Sequence, residues 1–382
     1  MIKKALKMFQ LIINNLLILF FWLFPINKKK IFISNYYGKG YGDNAKYIVE
    51  ELLKNNANCK IVWAVQKNVD ISMFPKQIIL CRYFKFLAIF HLATSKIWID
   101  NCRKPPILKR KKQIYIQTWH GFALKRIEKD VAENLGRYYV HIAKKDSKMI
   151  NLIISDSVFM TQIYRHSFWY KGKIVEWGAP RNDVIVNNHE EIKEKVYRYF
   201  NLSQNKKIVL YAPTFRKDGS LKPYSIDYQM LKQSCEHRFG GEFVALVRLH
   251  PNIVNKSSDL KFKDGEIINA TFYPDLQELL MVADICITDY SSLMFDFALS
   301  KKPCFQFATD IEEYKQDRNF YFEIDKLPFP LSKSNMELRD NIFAFKEQEY
   351  ENKLFEFYKN IGMVMDGKSS QHCAEYILKT IN

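Results

Sequence analysis

The sequence predicts an α/β protein with two doubly wound, Rossmann-like domains that follow an amino-terminal apolar helix. Three observations support this prediction. Short β-rich runs alternate with helical stretches, which is typical of βαβ units around a parallel sheet. The runs fall into two series that are separated by a charged segment. With 382 residues, of which 48% are hydrophobic, the chain can bury two cores, so a disordered protein is excluded.

The apolar helix is expected over residues 1–28. Its centre, 9–25, reads FQLIINNLLILFFWLFP and has three lysines close to either end. A bilayer span needs about 20 apolar residues, whereas this run is shorter and contains Gln10, Asn14 and Asn15. Because lysines suit anionic head groups, we expect the helix to lie in the membrane interface, on the cytoplasmic face. A buried first helix is the alternative, and the lack of a small-residue cleavage site disfavours a signal peptide.

The first domain is predicted over residues 29–185. Its β-rich runs are KKIFISNY (29–36), CKIVWAVQ (59–66), KIWIDN (96–101), QIYIQTWHG (113–121) and NLIISDS (151–157). The second domain, 186–382, begins with a charged, largely solvated helix at 190–199, which places the domain join near 182–205. Its β-rich runs are KKIVLYAPTF (206–215), FVALVRLHP (243–251), GEIINAT (265–271), ICITDYSS (285–292) and CFQFATD (304–310).

The chain is strongly basic, with 58 Lys and Arg against 41 Asp and Glu and a formal charge of +17. Such an excess indicates an anionic partner: a phosphorylated substrate, an anionic lipid or a nucleic acid. The basic runs 108–112 and 144–148 would suit a membrane-bound scaffold or a nucleic-acid binder, but solvated faces or contact with an anionic membrane explain them at least as well, and no nucleic-acid partner is expected. The seven cysteines lack the paired spacing of a zinc site, so we expect a reduced cytoplasmic protein without structural metal or disulfides.

Polar residues follow four of the predicted strands. They are His120 and Gly121, Pro213 and Thr214, Arg248 and His250, and the run from Thr288 to Ser292. Ligands of open α/β sheets bind beyond the carboxyl ends of the strands. We therefore expect these residues to converge in a cleft between two facing domains.

The segment ITDYSSLMFDFA predicts an apolar strand followed at once by a helix. The strand ends at Thr288 and Asp289, and Ser291 and Ser292 would cap the helix. The N–H groups at such a helix start bind anions, which suits a diphosphate. Asp296 lies one turn further into the helix. A plain serine cap without a ligand is the alternative.

Histidines and arginines supply the remaining candidates. Arg248 and His250 alternate at a strand end, where the guanidinium could clamp phosphate through two parallel hydrogen bonds. His120 precedes a glycine that permits close backbone approach, and its ordinary pKa of about 6.5 suits a general base for an acceptor hydroxyl. Arg181 in WGAPRND is a further candidate phosphate ligand. For both histidines a structural role is the alternative.

Several common enzyme classes lose support because their motifs are absent. The sequence contains no GxxxxGK[ST], no GxGxxG after a strand, no HExxH and no GxSxG. Kinases, dehydrogenases, zinc proteases and α/β-hydrolases are therefore disfavoured.

Seven segments of the chain together resemble the CDP-glycerol glycerophosphotransferase family, the polymerases and primases of wall teichoic acid and related capsule enzymes. They are GKGYGDN (38–44), QTWHG (117–121), GAPRND (178–183), YAPTFR (211–216), RLHP (248–251), ITDYSSLMFDFA (287–298) and DIEEY (310–314). They occur in order over residues 30–325. The family commonly reads WHGTP where this chain has WHGFA at 119–123, so the resemblance is weaker for the acceptor side.

The resemblance implies a glycosyltransferase-B-like arrangement whose donor is held mainly by the carboxyl-terminal domain. The implied catalytic residues are His120 and His250, and the implied substrate-binding residues are Trp119, Gly121, Arg181, Pro213, Thr214, Arg248, Thr288, Asp289, Ser291, Ser292 and Asp296. Of these, His120 would be the base and part of the donor site, and Thr214 would line the cleft. The arginines and His250 would contact the phosphates, and the serines with Asp296 would hold the nucleotide end.

The same resemblance implies transfer of glycerol phosphate, or a related alditol phosphate, with release of CMP. The donor would be CDP-glycerol or CDP-ribitol, and the acceptor a hydroxyl of a polyprenyl-linked or polymeric glycan. In length the chain looks more like the priming or short capsule-type members. The sequence requires no cofactor, although it is compatible with Mg²⁺ carried by the donor diphosphate. A glycosyltransferase that uses a nucleotide sugar is the alternative.

Overall fold

The computed structural model describes residues 2–216, 220, 225–250, 266–317 and 319–381, with side chains from residue 8 onward except at 315–317. The chain divides into two compact units. Unit 1 comprises Met1–His120, Ile127–Asp183 and Met363–Asn382, and unit 2 comprises Gly121–Arg126 and Val184–Gly362. The chain therefore passes from one unit to the other at four points.

The helices and strands alternate along most of the chain. Within the described residues the strands are β1 (Asn27–Ser34), β2 (Lys60–Val65), β3 (Ile79–Arg82), β4 (Ser95–Asp100), β5 (Ile114–Gln117), β6 (Leu152–Ser155), β7 (Lys173–Glu176), β8 (Lys206–Tyr211), β9 (Glu242–Val247), β10 (Ile267–Asn269), β11 (Ile285–Thr288), β12 (Cys304–Phe307) and β13 (Leu331–Ser332). The α-helices are α1 (Ile2–Phe21), α2 (Asp43–Lys54), α3 (Phe86–Thr94), α4 (Arg137–Met149), α5 (Val158–Ser167), α6 (Asp183–Asn187), α7 (Glu190–Tyr199), α8 (Tyr228–Phe239), α9 (Leu276–Val282), α10 (Leu293–Phe297), α11 (Ile311–Asp317), α12 (Asn335–Phe343), α13 (Glu347–Ile361) and α14 (Ser369–Ile381).

Unit 1 is built on a seven-stranded sheet in the order β3-β2-β1-β4-β5-β6-β7, with every neighbouring pair parallel. Its central strands carry apolar residues on both faces, as expected for parallel strands covered by helices. Trp63 on β2 and Trp98 on β4 are fully buried. The strand order reverses between β1 and β4, so the residues that follow these two strands meet at one point of the sheet edge.

Unit 2 repeats this arrangement with six parallel strands in the order β10-β9-β8-β11-β12-β13. The order reverses between β8 and β11, and the residues of both strands from Ile208 to Leu210 and from Ile285 to Thr288 are buried. The predicted α/β class, with two doubly wound parallel sheets, is confirmed.

The carboxyl-terminal helix departs from the domain bounds expected from the sequence. The sequence predicts residues 363–382 as part of the second domain, 186–382, whereas in the structure they belong to unit 1. The apolar side of α14, including Cys373 and Ile377, is buried in the core of unit 1. Asp183 fixes the start of the helix, because its two carboxylate oxygens accept the amides of Ser369 (3.1 Å) and Ser370 (2.7 Å).

From residue 8 onward, where its side chains are described, the first helix, α1, packs on unit 1 through one side. The Asn15 side chain donates to the carbonyl of Pro106 (3.2 Å) and accepts from the amide of Leu108 (2.9 Å). The ring of Phe21 lies 5.1 and 5.2 Å from those of Phe86 and Phe90, between centroids. Exposed apolar side chains on the helix are Met8, Phe9, Ile12, Leu16, Leu19 and Phe20. No helix in the described part of the chain has the length and apolar content needed to cross a membrane.

Candidate functional site

In unit 1 a polar cluster lies at the carboxyl ends of β1, β4 and β5. β1 is followed by Asn35 and Tyr36, β4 by Asn101, and β5 by the segment that ends in His120. The Asn101 side chain donates to Asn35 Oδ1 (2.6 Å) and accepts from the amide of Tyr36 (2.8 Å). The cluster therefore forms at the switch point of the sheet, where open α/β proteins bind their ligands.

His120 is oriented by a hydrogen bond to the backbone. Its Nδ1 lies 2.6 Å from the carbonyl oxygen of Asn101, and since a carbonyl only accepts, Nδ1 carries the proton and Nε2 keeps its lone pair. The rings of Trp119 and Tyr36 lie 4.2 and 5.5 Å from the imidazole, between centroids. Burial lowers the pKa of His120 below its ordinary value, although the Asn101 carbonyl opposes this. The ring is therefore neutral at neutral pH, as a general base must be.

Arg181 belongs to the same cluster. It lies in the short 3-10 turn Pro180–Asn182 and is buried. Its Nη1 lies 3.8 Å from Asp43 Oδ1, and its backbone amide donates to Asn44 Oδ1 (3.1 Å). Three of the predicted site residues, Trp119, His120 and Arg181, are thus brought together in unit 1.

Three side chains that connect the loops of this cluster are not among the site residues predicted from the sequence. Asp43 and Asn44 stand at the start of α2, and Asn101 follows β4. Each of the three binds backbone or side-chain atoms of another loop of the cluster. The motif GKGYGDN contains Asp43 and Asn44, so its presence among the family-like segments is the signal that points to them.

In unit 2 the corresponding cluster lies at the ends of β8 and β11. The Thr288 hydroxyl donates to the carbonyl of Ala212 (2.7 Å), and the amide of Thr214 donates to Asp289 Oδ1 (2.8 Å). Pro213 lies between these contacts and is buried. Four of the predicted residues are therefore brought together at the switch point of the second sheet.

Arg216 fixes Asp289 and was missed in the sequence analysis. Its Nη2 lies 2.9 Å from Asp289 Oδ2, and its Nε lies 2.6 Å from Asp310 Oδ2. The guanidinium carbon lies 5.1 and 5.0 Å from the ring centroids of Tyr290 and Tyr314. Two carboxylates and two aromatic rings hold this cation, so Arg216 shapes the loop after β8. The segments YAPTFR and DIEEY contain both ends of the ion pair with Asp310, which is the sequence signal for it.

Arg248 and His250 both follow β9. The Arg248 Nη1 donates to the carbonyls of Tyr273 (2.6 Å) and Ala270 (3.3 Å). Burial lowers the pKa of Arg248 to about 10. One terminal nitrogen of the guanidinium is thus bound to the backbone, which fixes the orientation of the group. The ring of His250 lies 4.8 Å from that of Phe215, between centroids, and Pro251 of the RLHP motif lies outside the described residues.

The sequence predicts that Ser291 and Ser292 cap the helix after β11, and the structure differs from this prediction. The helix α10 has only five residues, and Ser292 at its N-cap makes no side-chain capping bond. The reason is the helical backbone of Ser292 (φ −64°, ψ −12°), since a capping side chain requires an extended residue. The Ser291 hydroxyl instead accepts from the amide of Leu293 at 3.4 Å. Asp296 accepts from Gln277 Nε2 (3.2 Å), which ties it to α9.

Position 121 requires a glycine. Gly121 has φ +155°, and an added Cβ would lie 2.9 Å from Ser292 Oγ. The next residue, Phe122, is buried with its ring 4.4 Å from that of Phe295. The departure from WHGTP is therefore accommodated by aromatic packing within unit 2.

The described residues include no group of three or more His, Cys, Asp or Glu side chains that could hold a metal ion. All seven cysteines are free thiols. The two clusters offer a neutral histidine base in unit 1, and arginine, histidine and hydroxyl groups at strand ends in unit 2.

Comparison with known proteins identifies relatives over most of the chain. The profile of the CDP-Glycerol:Poly(glycerophosphate) glycerophosphotransferase family matches residues 16–379. The chain is 32% identical over 374 residues to a teichoic acid poly(glycerol phosphate) polymerase of Staphylococcus epidermidis, covering 93% of this chain and 51% of that protein. It is 29% identical over 372 residues to the teichoic acid glycerol-phosphate transferase of Staphylococcus aureus, covering 92% and 94% of the two chains.

The chain spans about half the length of the Staphylococcus epidermidis polymerase and of a polymerase of the same name from Bacillus subtilis. A solved structure of the wall teichoic acid polymerase TagF superposes with a TM-score of 0.84 and 29% identity, covering 100% of this chain and 97% of that chain. Both clusters lie inside the part of the chain that the family profile matches. The chain belongs to the CDP-glycerol:poly(glycerophosphate) glycerophosphotransferase family.

Proposed function

We propose that this protein transfers glycerol phosphate from CDP-glycerol to a hydroxyl of a lipid-linked or polymeric glycan and releases CMP, as a step in teichoic acid or capsule synthesis. The observation that carries the proposal is the state of His120. Its Nδ1 proton is bound to the Asn101 carbonyl, so its Nε2 lone pair can accept a proton. Relatives named as glycerol-phosphate polymerases and transferases support the choice of reaction.

The proposed step is an in-line displacement at phosphorus. The acceptor hydroxyl oxygen attacks the β-phosphorus of CDP-glycerol, a P–O bond to the acceptor forms, and the P–O bond to CMP breaks. The hydroxyl proton passes to Nε2 of His120, and the negative charge leaves with CMP. Phosphoryl transfer of this kind depends mainly on positioning and on stabilisation of charge. The buried Arg181 supplies a fixed positive charge in the same cluster as the base.

We propose that unit 2 holds the donor, as in a glycosyltransferase-B-like protein. The switch point between β8 and β11 supports this, because Thr214, Thr288 and Asp289 meet there. Arg248, whose guanidinium is oriented by two carbonyls, and His250 would contact the diphosphate. The remaining donor contacts would come from Ser291, Ser292 and Asp296.

We propose glycerol rather than ribitol as the alditol of the donor. Relatives named for glycerol phosphate are 29–32% identical to this chain. Relatives named for ribitol phosphate are 26–27% identical. We therefore place CDP-glycerol first and CDP-ribitol second among the donors to be tested.

We also propose that the protein works at the cytoplasmic face of the membrane, bound through α1. The helix packs on unit 1 through Asn15 and Phe21 and leaves Phe9, Ile12 and Leu16 exposed. Exposed apolar side chains on a helix with lysines nearby suit the interface of an anionic bilayer.

The proposal is tested by the release of CMP from purified protein in detergent with an anionic lipid extract. CDP-glycerol, CDP-ribitol and UDP-sugars are compared as donors, each with and without EDTA. We expect CMP from CDP-glycerol and a loss of roughly 10²- to 10⁴-fold in turnover for His120→Ala, the range typical of a missing general base.

The matched control is His141→Ala, because His141 is an exposed histidine of unit 1 on α4. This variant should turn over as the wild type does. Turnover with a UDP-sugar alone would make the protein a glycosyltransferase, and full activity of His120→Ala would remove the histidine from the mechanism.

A further inference from the structure

We propose that Asp43 and Asn44, at the start of α2, are positioning residues that fix the base His120 and the cation Arg181 relative to each other. The inference rests on the proposed function, since it concerns the base of that reaction. It assigns a role to the motif GKGYGDN, which the proposed mechanism leaves without one. Neither residue is placed in contact with substrate, so each acts through its neighbours.

Asn44 connects the two loops that carry His120 and Arg181. Its side chain is almost fully buried. Its Nδ2 donates to the carbonyl of Trp119 (3.1 Å), and its Oδ1 accepts from the amide of Arg181 (3.1 Å). The Trp119 carbonyl belongs to the peptide that leads into His120, and Trp119 has φ +52°, a conformation that needs support from its surroundings. One planar amide therefore sets the spacing between the two loops.

Asp43 acts on the same two residues through its charge and its hydrogen bonds. Its Oδ2 accepts from Asn101 Nδ2 (3.0 Å), and the carbonyl of Asn101 accepts from His120 Nδ1 (2.6 Å). Its Oδ1 lies 3.8 Å from Arg181 Nη1. Burial raises the pKa of the Tyr36 hydroxyl, and the nearby Asp43 carboxylate raises it further. Asp43 thus orients the imidazole through Asn101 and holds the arginine by an ion pair.

Because Asp43 is charged and Asn44 is neutral, substitutions at the two positions should change His120 in different ways. Burial lowers the pKa of His120, the carboxylates of Asp43 and Glu128 raise it, and Arg181 lowers it. Removal of the Asp43 charge should therefore lower the pKa of His120 further. Asn44 is neutral, so its loss should disturb the geometry of the base.

The direct test is a histidine NMR titration of the full chain labelled with ¹³C and ¹⁵N, with the His120 signal assigned from His120→Ala. We expect Asp43→Asn to move the His120 pKa downward. The acid limb of kcat/KM, which reports the base of the free enzyme, should move in the same direction. Asp146→Asn is the matched control, because Asp146 is a buried carboxylate of unit 1 paired with Arg103 (3.2 Å).

For Asn44 the measured quantity is turnover per folded molecule. Asn44→Ala should lower kcat by roughly ten- to a hundredfold, because a small displacement of a catalytic group is costly. Its ¹⁵N spectrum should show that His120 no longer keeps a single tautomer. Gln113→Ala is the matched control, since Gln113 is a buried amide that donates to the carbonyls of Leu92 (2.9 Å) and Ser95 (2.7 Å) at the other end of β5.

Two results would overturn the inference. One is a His120 pKa in Asp43→Asn equal to that of the wild type, and the other is equal turnover of Asn44→Ala and Gln113→Ala per folded molecule. Failure of the proposed function is a separate result, in which the wild type releases no CMP. In that case the pKa and the tautomer of His120 still test the positioning role, because the NMR measurement does not depend on turnover.

Discussion

Single side chains in unit 2 hold more than one loop, and Arg216 is the main example. Its ion pairs with Asp289 and Asp310 join the loop after β8 to the ends of β11 and β12. The amide of Thr214 is bound by the same Asp289. A change at Arg216 should therefore alter both the stability of the unit and the position of candidate donor residues.

We predict that Arg216→Lys lowers the free energy of unfolding by roughly 2–4 kcal/mol. A lysine cannot reproduce the fork of the guanidinium, so one buried carboxylate is left without its partner. Urea denaturation measures the effect. Arg339→Lys is the control, because Arg339 pairs with Asp340 at the surface and should cost less than about 0.5 kcal/mol. Equal midpoints for the two variants would contradict the assigned role of Arg216.

At this scale the sequence revealed the residues that carry chemistry better than those that position them. His120, Arg248 and Thr288 were found because they lie at or just after the ends of apolar strands. Asn44 and Arg216 were not, because their partners lie 73 or more positions away in the chain. A contact of that kind leaves no periodicity in a single sequence.

Among the strands, those in the middle of each sheet were predictable, whereas three of the four edge strands were not. The runs that form β1, β4, β8 and β11 have continuous apolar centres, because both faces of the sheet are covered there. Three strands were missed: β3, β7 and β13. They lie at sheet edges. There, β3 and β7 are partly exposed, and β13 has two residues, so none presents a long apolar run.

The helix α14 depends on a cap from outside itself. Asp183 accepts two of its first amides, and Asp183 also lies two residues after Arg181. We predict that Asp183→Ala lowers the free energy of unfolding by about 1–2 kcal/mol, the upper range for a lost helix cap. Hydrogen exchange should rise in residues 369–381.

The matched control for this change is Ser334→Ala, which removes the cap of α12 in unit 2. Exchange should then rise in 335–343 and stay unchanged in 369–381. Protection of 369–381 in Asp183→Ala equal to that of the wild type would show that apolar packing alone holds α14.

For the molecule as a whole, the formal charge of +17 and the exposed face of α1 act together. We predict that the protein binds vesicles containing phosphatidylglycerol more tightly than neutral vesicles, and that added salt weakens this binding because surface charges are screened. Sedimentation with vesicles at two salt concentrations measures both effects.

The contribution of α1 is tested with Ile12→Glu and Leu16→Glu. Each should weaken vesicle binding by tenfold or more, since about 1.5–3 kcal/mol accompanies burial of such a side chain. Ile71→Glu is the control, because Ile71 is an equally exposed isoleucine elsewhere in unit 1. Equal binding by all three variants would mean that charge alone attracts the protein to lipid.

The passage of the chain between the units has a consequence for biosynthesis. Unit 1 includes Met363–Asn382, which the ribosome adds only after Val184–Gly362 has been made. At a translation rate of about 5–20 residues per second, this interval lasts roughly 10–40 s. Throughout it, the surface of unit 1 that receives Cys373 and Ile377 is uncovered. Nascent unit 1 therefore exposes apolar surface until residues 363–382 have been made, and slower synthesis of the middle of the chain prolongs this exposure.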